Sequence, residues 1–175
     1  MKIMTEKQSE SILQNKISEI RRALNLELYN CALATALTLP DICGKVEFPN
    51  EYSRERYTKW FDKYVRDQFT AVATKLPEEL EVKYQWLRAD ECYALRCAVL
   101  HSGDYKPEKV ELSKIYLHAH KREWENYSHI IRDSKYIDAD VIDLCEKLCL
   151  AAEEYYNSVE DKNRFDLDEV RIDTW

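Results

Sequence analysis

An arginine and a histidine lie five residues apart in the segment 93–103, which reads Tyr-Ala-Leu-Arg-Cys-Ala-Val-Leu-His-Ser-Gly. Arg96 is permanently charged and its planar guanidinium suits phosphate oxygens, whereas a histidine such as His101 is the side chain best suited to move protons near neutral pH. RNA carries its own nucleophile, the 2′-hydroxyl, beside the phosphate that it attacks. A proton-transfer group and a cation therefore suffice to cleave RNA without a metal. The sequence predicts that Arg96 and His101 form such a site.

The helix expected to carry both residues sets their separation. Five residues of an α-helix turn through about 500°, so the two side chains are expected to project about 140° apart. Arg96 is long enough to swing toward His101, or a second copy of the chain completes the site. In the alternative interpretation, His101 interacts with the helix C-terminus and Arg96 pairs with a carboxylate, without catalysis.

The composition indicates one folded, mainly helical domain. The chain has 175 residues, 45% of them hydrophobic, and only two glycines, Gly44 and Gly103. Gly-rich phosphate loops need several glycines in one turn, so P-loop and dinucleotide-binding sites are excluded, and no cofactor is predicted. No run of 18 apolar residues and no signal-peptide pattern occurs, which predicts a cytoplasmic protein with no membrane contact. The six cysteines form no C-x-x-C pair, as expected for a reducing compartment.

The net charge of −7 is unevenly distributed along the chain. Residues 1–88 carry 14 Lys/Arg and 13 Asp/Glu, whereas residues 89–175 carry 12 and 20. Contact with RNA is therefore expected on the N-terminal half or close to Arg96. Four basic residues form a stripe at three- and four-residue steps that could follow an RNA backbone: Arg56, Lys59, Lys63 and Arg66. The alternative is a solvated face on which Glu55–Lys59 and Asp62–Arg66 form ordinary ion pairs.

Apolar residues at three- and four-residue steps predict the helices. One long helix occupies the N-terminal part and ends before Pro40, and a short turn from Pro40 to Gly44 follows it. Ser53 is predicted to cap the next helix, which extends to about Thr74. Asp90 is predicted to cap a further helix, which carries the arginine and the histidine and stops at the Ser-Gly pair that follows them.

The C-terminal half mixes strand and helix patterns. Alternating residues near 110–131 predict a small β-hairpin inserted into the helical bundle, with 115–119 pairing with 127–131. Asp138 is predicted to cap the last strong helix. Residues 1–160 are expected to form a single helical domain, and residues 161–175 an acidic tail that could dock against it. His118 and His120 would lie on one side of a strand, but two histidines without further ligands are a poor zinc signature, so no metal is predicted.

The segment from Tyr93 to Gly103 resembles the R-x4-6-H motif of the HEPN superfamily, whose members are small helical proteins. Many of them are metal-independent endoribonucleases of toxin–antitoxin and antiviral systems. The resemblance implies a HEPN-like helical bundle with Arg96 and His101 as its catalytic residues. It also implies a homodimer in which two protomers bring their motifs together.

Three interpretations of the chain are compatible with these patterns. The leading hypothesis is a metal-independent endoribonuclease that cleaves single-stranded RNA, as a toxin or defence effector with an antitoxin or regulatory protein as partner. The alternative is a catalytically silent HEPN-like module that binds or regulates a protein or nucleotide partner. Cys97 favours this alternative, because active members usually carry a polar residue directly after the arginine. In the third, the motif match is accidental and the chain is an unrelated helical protein.

Overall fold

The chain folds mainly into helices, as the sequence predicts, and the computed structural model describes residues 11–75, 80–102, 114–119, 130–132 and 136–165. The α-helices in these ranges are α1 (Ile12–Asn25), α2 (Tyr29–Ala36), α3 (Leu39–Glu47), α4 (Ser53–Tyr64), α5 (Ala89–Cys97) and α6 (Val141–Ser158). The strands are β1 (Thr70–Lys75), β2 (Leu80–Gln85), β3 (Lys114–His118), β4 (Ile130–Arg132) and β5 (Tyr136–Asp140). Short 3₁₀ turns occupy Arg66–Phe69 and Lys162–Phe165, and a π turn, Ala98–Ser102, continues α5.

The first helix is shorter than its apolar pattern suggests. Ser11 caps α1, because its hydroxyl accepts from the Gln14 amide while the Gln14 side chain accepts from the Ser11 amide. The expected single helix up to Pro40 is wrong: the backbone breaks at Glu27, whose φ is 59°, and a separate α2 follows. Both helices bury apolar residues, but the apolar pattern is interrupted at the break, where Leu26 and Leu28 are exposed.

Gly44 lies inside α3 instead of closing a short turn, so the expected turn from Pro40 to Gly44 is wrong. Pro40 stands in the first turn of this helix, where its missing N–H costs nothing. At Gly44 the backbone of α4 comes so close that a Cβ would lie 2.8 Å from the carbonyl oxygen of Arg56. The glycine is therefore needed for the contact between α3 and α4.

The helix that begins at Ser53 ends at Tyr64, so the expectation that it reaches Thr74 is wrong. The chain passes through the 3₁₀ turn into β1, which pairs antiparallel with β2. Phe69, at the end of that turn, is fully buried, and its ring centroid lies 4.7 Å from that of Trp86. Burying this aromatic pair requires the chain to leave the helical path before the first strand.

The second sheet has β5 at its centre. It pairs parallel with β3 and antiparallel with β4. A small β element in this region is therefore confirmed, but β3 and β4 do not pair directly, because β5 lies between them. Residues 127–129 of the second predicted strand lie outside the described ranges. Asp138 belongs to β5, and the cap of α6 is instead Asp140, whose Oδ1 accepts from the amides of Ile142 and Asp143 at 2.7 and 3.2 Å.

The buried side chains form one core cluster with members from all six helices and from β5. Helix α6 packs against α1, α2 and α3 at the centre of this core. The first part of the acidic tail also docks, since Phe165 is fully buried against the rings of Tyr155 and Tyr156. Within the described ranges, no helix is both long and apolar enough to cross a membrane.

Glu47, the last residue of α3, connects that helix to α4 and α6. Its two carboxylate oxygens accept from the hydroxyls of Tyr64 at 2.9 Å and Tyr155 at 3.0 Å, and Lys63 forms an ion pair with it. Burial acts to raise the pKa of Glu47, but the hydrogen bonds from Lys63 and the two tyrosines outweigh it. The pKa of Glu47 is therefore lower than that of an ordinary glutamate.

Candidate active site

Helix α5, which carries Arg96, is anchored at its N-terminus and on its buried face. Glu91 is fully buried, and its carboxylate accepts from the amide of the N-cap residue Arg88 at 2.8 Å. Asp90, expected as the cap, lies in the first turn instead. On the inward face, the hydroxyl of Tyr57 from α4 lies 3.3 Å from the sulfur of Cys92. These contacts fix the helix relative to α4.

Arg96 and His101 meet at the π turn that follows α5. Arg96 Nη1 lies 3.3 Å from His101 Nε2, so the long side chain of Arg96 reaches His101 within one chain, which is one of the two arrangements that the spacing allows. In a π turn the hydrogen bonds run from residue i to i+5, so the chain between the two residues rotates less per residue than an α-helix does. Single π turns inside α-helices occur frequently at functional sites.

Asp41, from the first turn of α3, holds the guanidinium of Arg96. Its Oδ2 accepts from Arg96 Nη2 at 2.8 Å, across 55 residues of sequence. Its Oδ1 accepts from the Ser53 hydroxyl at 3.0 Å and contacts the guanidinium of Arg56 at 3.4 Å. Nothing in the spacing of the sequence singles out Asp41, because its partners lie in other helices.

We call Asp41, Ser53, Arg56, Arg96 and His101 the Arg96 cluster. The side chains of Arg96 and Asp41 are only 18% and 13% exposed, whereas His101 is exposed to solvent. Burial acts to lower the pKa of Arg96, but the charge of Asp41 and neighbouring groups raises it overall, so the guanidinium stays charged. The cluster therefore contains a charged guanidinium, that of Arg96, which an ion pair holds in place next to the solvent-exposed imidazole of His101.

The contact between Arg96 and His101 also selects the protonation of the imidazole. A guanidinium donates hydrogen bonds and has no acceptor, so the Nε2 atom that faces Arg96 Nη1 must carry the lone pair. The proton of a neutral imidazole is then on Nδ1. His101 can therefore act as a base at Nε2 when a bound phosphate replaces it as the acceptor of the hydrogen bond from Arg96 Nη1.

The ring of Tyr93 lies next to two guanidinium groups. Arg96 Cζ is 5.8 Å and Arg54 Cζ is 6.0 Å from its centroid, within the range of cation–π attraction. Arg54 has no ion pair with a carboxylate in the described part of the chain. The guanidinium groups of Arg54 and Arg96 thus lie at the same ring, and Arg96 shares the carboxylate of Asp41 with Arg56.

The basic stripe on α4 and the following turn is paired with carboxylates throughout. The pairs are Arg56–Asp41, Lys59–Glu51, Lys63–Glu47 and Arg66–Asp62. The expected pair of residues 62 and 66 is therefore confirmed, whereas Lys59 pairs with Glu51 and not with Glu55. These partners reduce the positive potential of the stripe, and its role in RNA binding stays a prediction.

The histidine pair of β3 does not form a metal site in the described residues. His118 Nδ1 lies 2.7 Å from Asp138 Oδ1 on the adjacent strand, and His120 lies outside the described ranges. No group of three or more His, Cys, Asp or Glu side chains suited to a metal ion occurs among the residues that the structure describes.

Searches against protein-family models, curated proteins and solved structures found no match to this chain. A function is therefore inferred from the motif and from the geometry of the Arg96 cluster.

Proposed function

We propose that this protein is a metal-independent endoribonuclease that cleaves single-stranded RNA at the Arg96 cluster. The observation that supports the proposal most directly is the distance of 3.3 Å between Arg96 Nη1 and His101 Nε2. It places a phosphate-binding cation and a proton acceptor within reach of one reacting phosphate.

In this mechanism His101 Nε2 takes the proton of the 2′-hydroxyl as its oxygen attacks the neighbouring phosphorus. Negative charge gathers on the non-bridging oxygens, and the guanidinium of Arg96 donates hydrogen bonds to them. The bond from phosphorus to the 5′-oxygen then breaks, and the leaving oxygen receives a proton from a histidinium. The products are a 2′,3′-cyclic phosphate and a free 5′-hydroxyl.

Asp41 acts as a positioning residue in this scheme. Because it accepts from Nη2 of Arg96, the Nη1 side of the guanidinium remains directed at His101. An arginine that an ion pair already holds in place loses less conformational entropy on binding a phosphate than a mobile arginine does. The same buried pair also supports the fold, so the cluster combines a structural and a catalytic role.

The proposal includes a homodimer in which the two π turns face each other, so that one His101 accepts the proton while the partner's His101 donates one. Leu100, next to His101, is 37% exposed and supplies an apolar contact for such an interface. The other apolar residues of α5 are mostly buried in the chain's own core, which leaves a small surface for a partner. Light scattering of wild type and of Leu100→Glu tests this part, and a mass near 20.9 kDa for the wild type contradicts it.

The test of the reaction is incubation of the purified protein with a labelled single-stranded RNA in EDTA. We expect cleavage with 2′,3′-cyclic phosphate ends, no cleavage of the same sequence as DNA, and loss of cleavage in His101→Ala. His118→Ala is the matched control, because that histidine pairs with Asp138 on the sheet and should leave the rate unchanged. Cleavage that stops on chelation, or that continues at full rate in His101→Ala, refutes the proposal.

A second candidate function is a catalytically silent HEPN-like module that binds a protein or nucleotide partner. The observation that favours it is the ion pair of Arg96 with Asp41, since a purely structural arginine also makes such a contact. Expression in a bacterial host separates the two functions. A nuclease toxin slows growth in the wild type and not in His101→Ala, whereas a silent module gives equal growth in both.

A further inference from the structure

Tyr52, at the N-cap of α4, exposes 84% of its surface, more than any other large hydrophobic residue in the described part of the chain. Its side chain makes no hydrogen bond and no ring contact with another described residue. The ring of a tyrosine is a large apolar surface, and folding normally covers part of it. An uncovered aromatic ring is therefore available to a ligand.

The position of Tyr52 connects it to the Arg96 cluster. The next residue, Ser53, donates from its hydroxyl to Oδ1 of Asp41 at 3.0 Å. The other oxygen of that carboxylate holds Arg96 at 2.8 Å. Consecutive Cα atoms are about 3.8 Å apart, so Tyr52 is the direct chain neighbour of a residue that contacts the carboxylate holding Arg96.

The charge around Tyr52 is suited to a nucleic acid. Arg54, two residues further along α4, has no carboxylate partner in the described ranges and lies beside the ring of Tyr93 with Arg96. An exposed aromatic ring two residues from a guanidinium group without a carboxylate partner is a combination that proteins use for single-stranded nucleic acid, because bases stack on the ring while cations bind the backbone.

We infer that Tyr52 is a stacking platform for an unpaired base of single-stranded RNA, next to the phosphate held by Arg96, and that Arg54 binds the adjoining phosphate. The inference rests on the ribonuclease function proposed above and adds a subsite to it. Stacking does not distinguish strongly among bases, so the platform selects unpaired strands over duplexes and gives little sequence preference. Duplex RNA keeps its bases stacked on one another and cannot use the ring.

Binding is measured by fluorescence anisotropy with a labelled single-stranded RNA whose 2′-hydroxyls are all methylated, so that it cannot be cleaved. Tyr52→Ala should weaken binding by about 5- to 100-fold, the range expected for loss of one base–aromatic stack, whereas Tyr52→Trp should retain it. Tyr116→Ala is the matched control: that ring is 50% exposed on β3 and should not affect affinity.

A second RNA with one abasic nucleotide identifies the stacking itself. Scanning the abasic position should reveal one at which wild-type binding weakens and Tyr52→Ala binding does not weaken further. Unchanged affinity in Tyr52→Ala overturns the platform, and so does an equal loss at every abasic position in both proteins. A change of mass on light scattering in Tyr52→Ala, with affinity for RNA intact, assigns the ring to a contact between copies and overturns it as well.

The outcome is separable from that of the proposed function, because binding and cleavage are measured on different RNAs. If the wild type cleaves RNA but Tyr52→Ala binds normally, only the platform is refuted. If the wild type cleaves nothing but binding depends on Tyr52 as described, the platform is supported and the catalytic proposal is refuted.

Discussion

Replacing Asp41 by asparagine removes the charge that holds Arg96 while keeping the size of the side chain. Asparagine retains one carbonyl oxygen, which can still accept from the Ser53 hydroxyl. It offers an amide in place of the oxygen that accepts from Arg96, and two donors then face each other. The substitution therefore tests the contact between α3 and α5 with little change in packing.

The magnitude follows from the geometry of the contact. A hydrogen bond between charged groups contributes about 1.5–3 kcal/mol, and the 2.8 Å contact to Arg96 is short and largely buried. The contacts of Asp41 with Arg56, at 3.4 Å, are long and add little. We expect Asp41→Asn to lower the free energy of unfolding by about 2 kcal/mol, which corresponds to about 4–8 °C in Tm for a chain of this size.

Urea unfolding followed by circular dichroism measures this loss. Asp62→Asn is the matched control, because it removes the exposed ion pair with Arg66 and should change stability by less than about 0.5 kcal/mol. The double variant of Asp41→Asn with Arg96→Gln should cost less than the sum of its two single changes, since both remove the same contact. A stability of Asp41→Asn equal to that of wild type would show that the pair does not form in solution.

The same variant has a predicted effect on the proposed reaction. Without Asp41 the guanidinium of Arg96 is no longer fixed beside His101, and a misplacement of about 1 Å at a reacting group costs on the order of 100-fold in rate. RNA cleavage by Asp41→Asn should therefore fall by about 10- to 100-fold at a temperature at which the variant is fully folded. Full activity would refute the positioning role while leaving the proposed catalytic pair in place.

Three further predictions concern the fold. Because the pKa of Glu47 is lowered, its stabilising contribution is complete above the ordinary pKa of 4.5 and is lost as the pH falls through the folded-state pKa. In Glu47→Gln the free energy of unfolding should therefore depend less on pH below about 4.5 than in wild type. Urea unfolding at several pH values measures this difference. Gly44→Ala should destabilise the protein by about 1–3 kcal/mol, because the added Cβ meets the backbone of Arg56; a neutral effect in thermal unfolding would mean that α3 and α4 separate easily. Leu144→Ala should lower the free energy of unfolding by about 2–5 kcal/mol, since this side chain is 1% exposed. Leu150, on the same helix, is 46% exposed, and Leu150→Ala should change that free energy by less than about 0.5 kcal/mol. Equal effects of the two substitutions would place α6 in a different orientation.

The sequence by itself determined the helical class and much of the buried face of α1, α4 and α6. Apolar residues at three- and four-residue steps predict the inward positions of α1, α4 and α6, because burial of one stripe per helix is the main stabilising term. The pair Arg96 and His101 at the end of a helix was also visible, since it depends only on local spacing.

The geometry of the candidate site was decided by the tertiary structure. The sequence pattern left open whether Arg96 reaches His101 within one chain, and the structure shows that contact at a π turn. The turn was not predicted, because a change from i+4 to i+5 hydrogen bonds leaves no clear signal in residue types. Asp41 was missed for a related reason: it meets Arg96 only after α3 and α5 have packed on α4.

In the sheets, too, the local sequence predicts individual strands, whereas their pairing depends on contacts between distant segments. Alternating residues indicated strands near 115–119 and 127–131. The strands found there, β3 and β4, both pair with β5, part of which the sequence pattern assigned to the cap of a helix. Which strands pair is determined by contacts between distant segments and by the burial of Ile137 and Ala139 against the helices. Local propensity predicts which segments can form strands and helices, whereas the arrangement of those segments in space is fixed by the shared core.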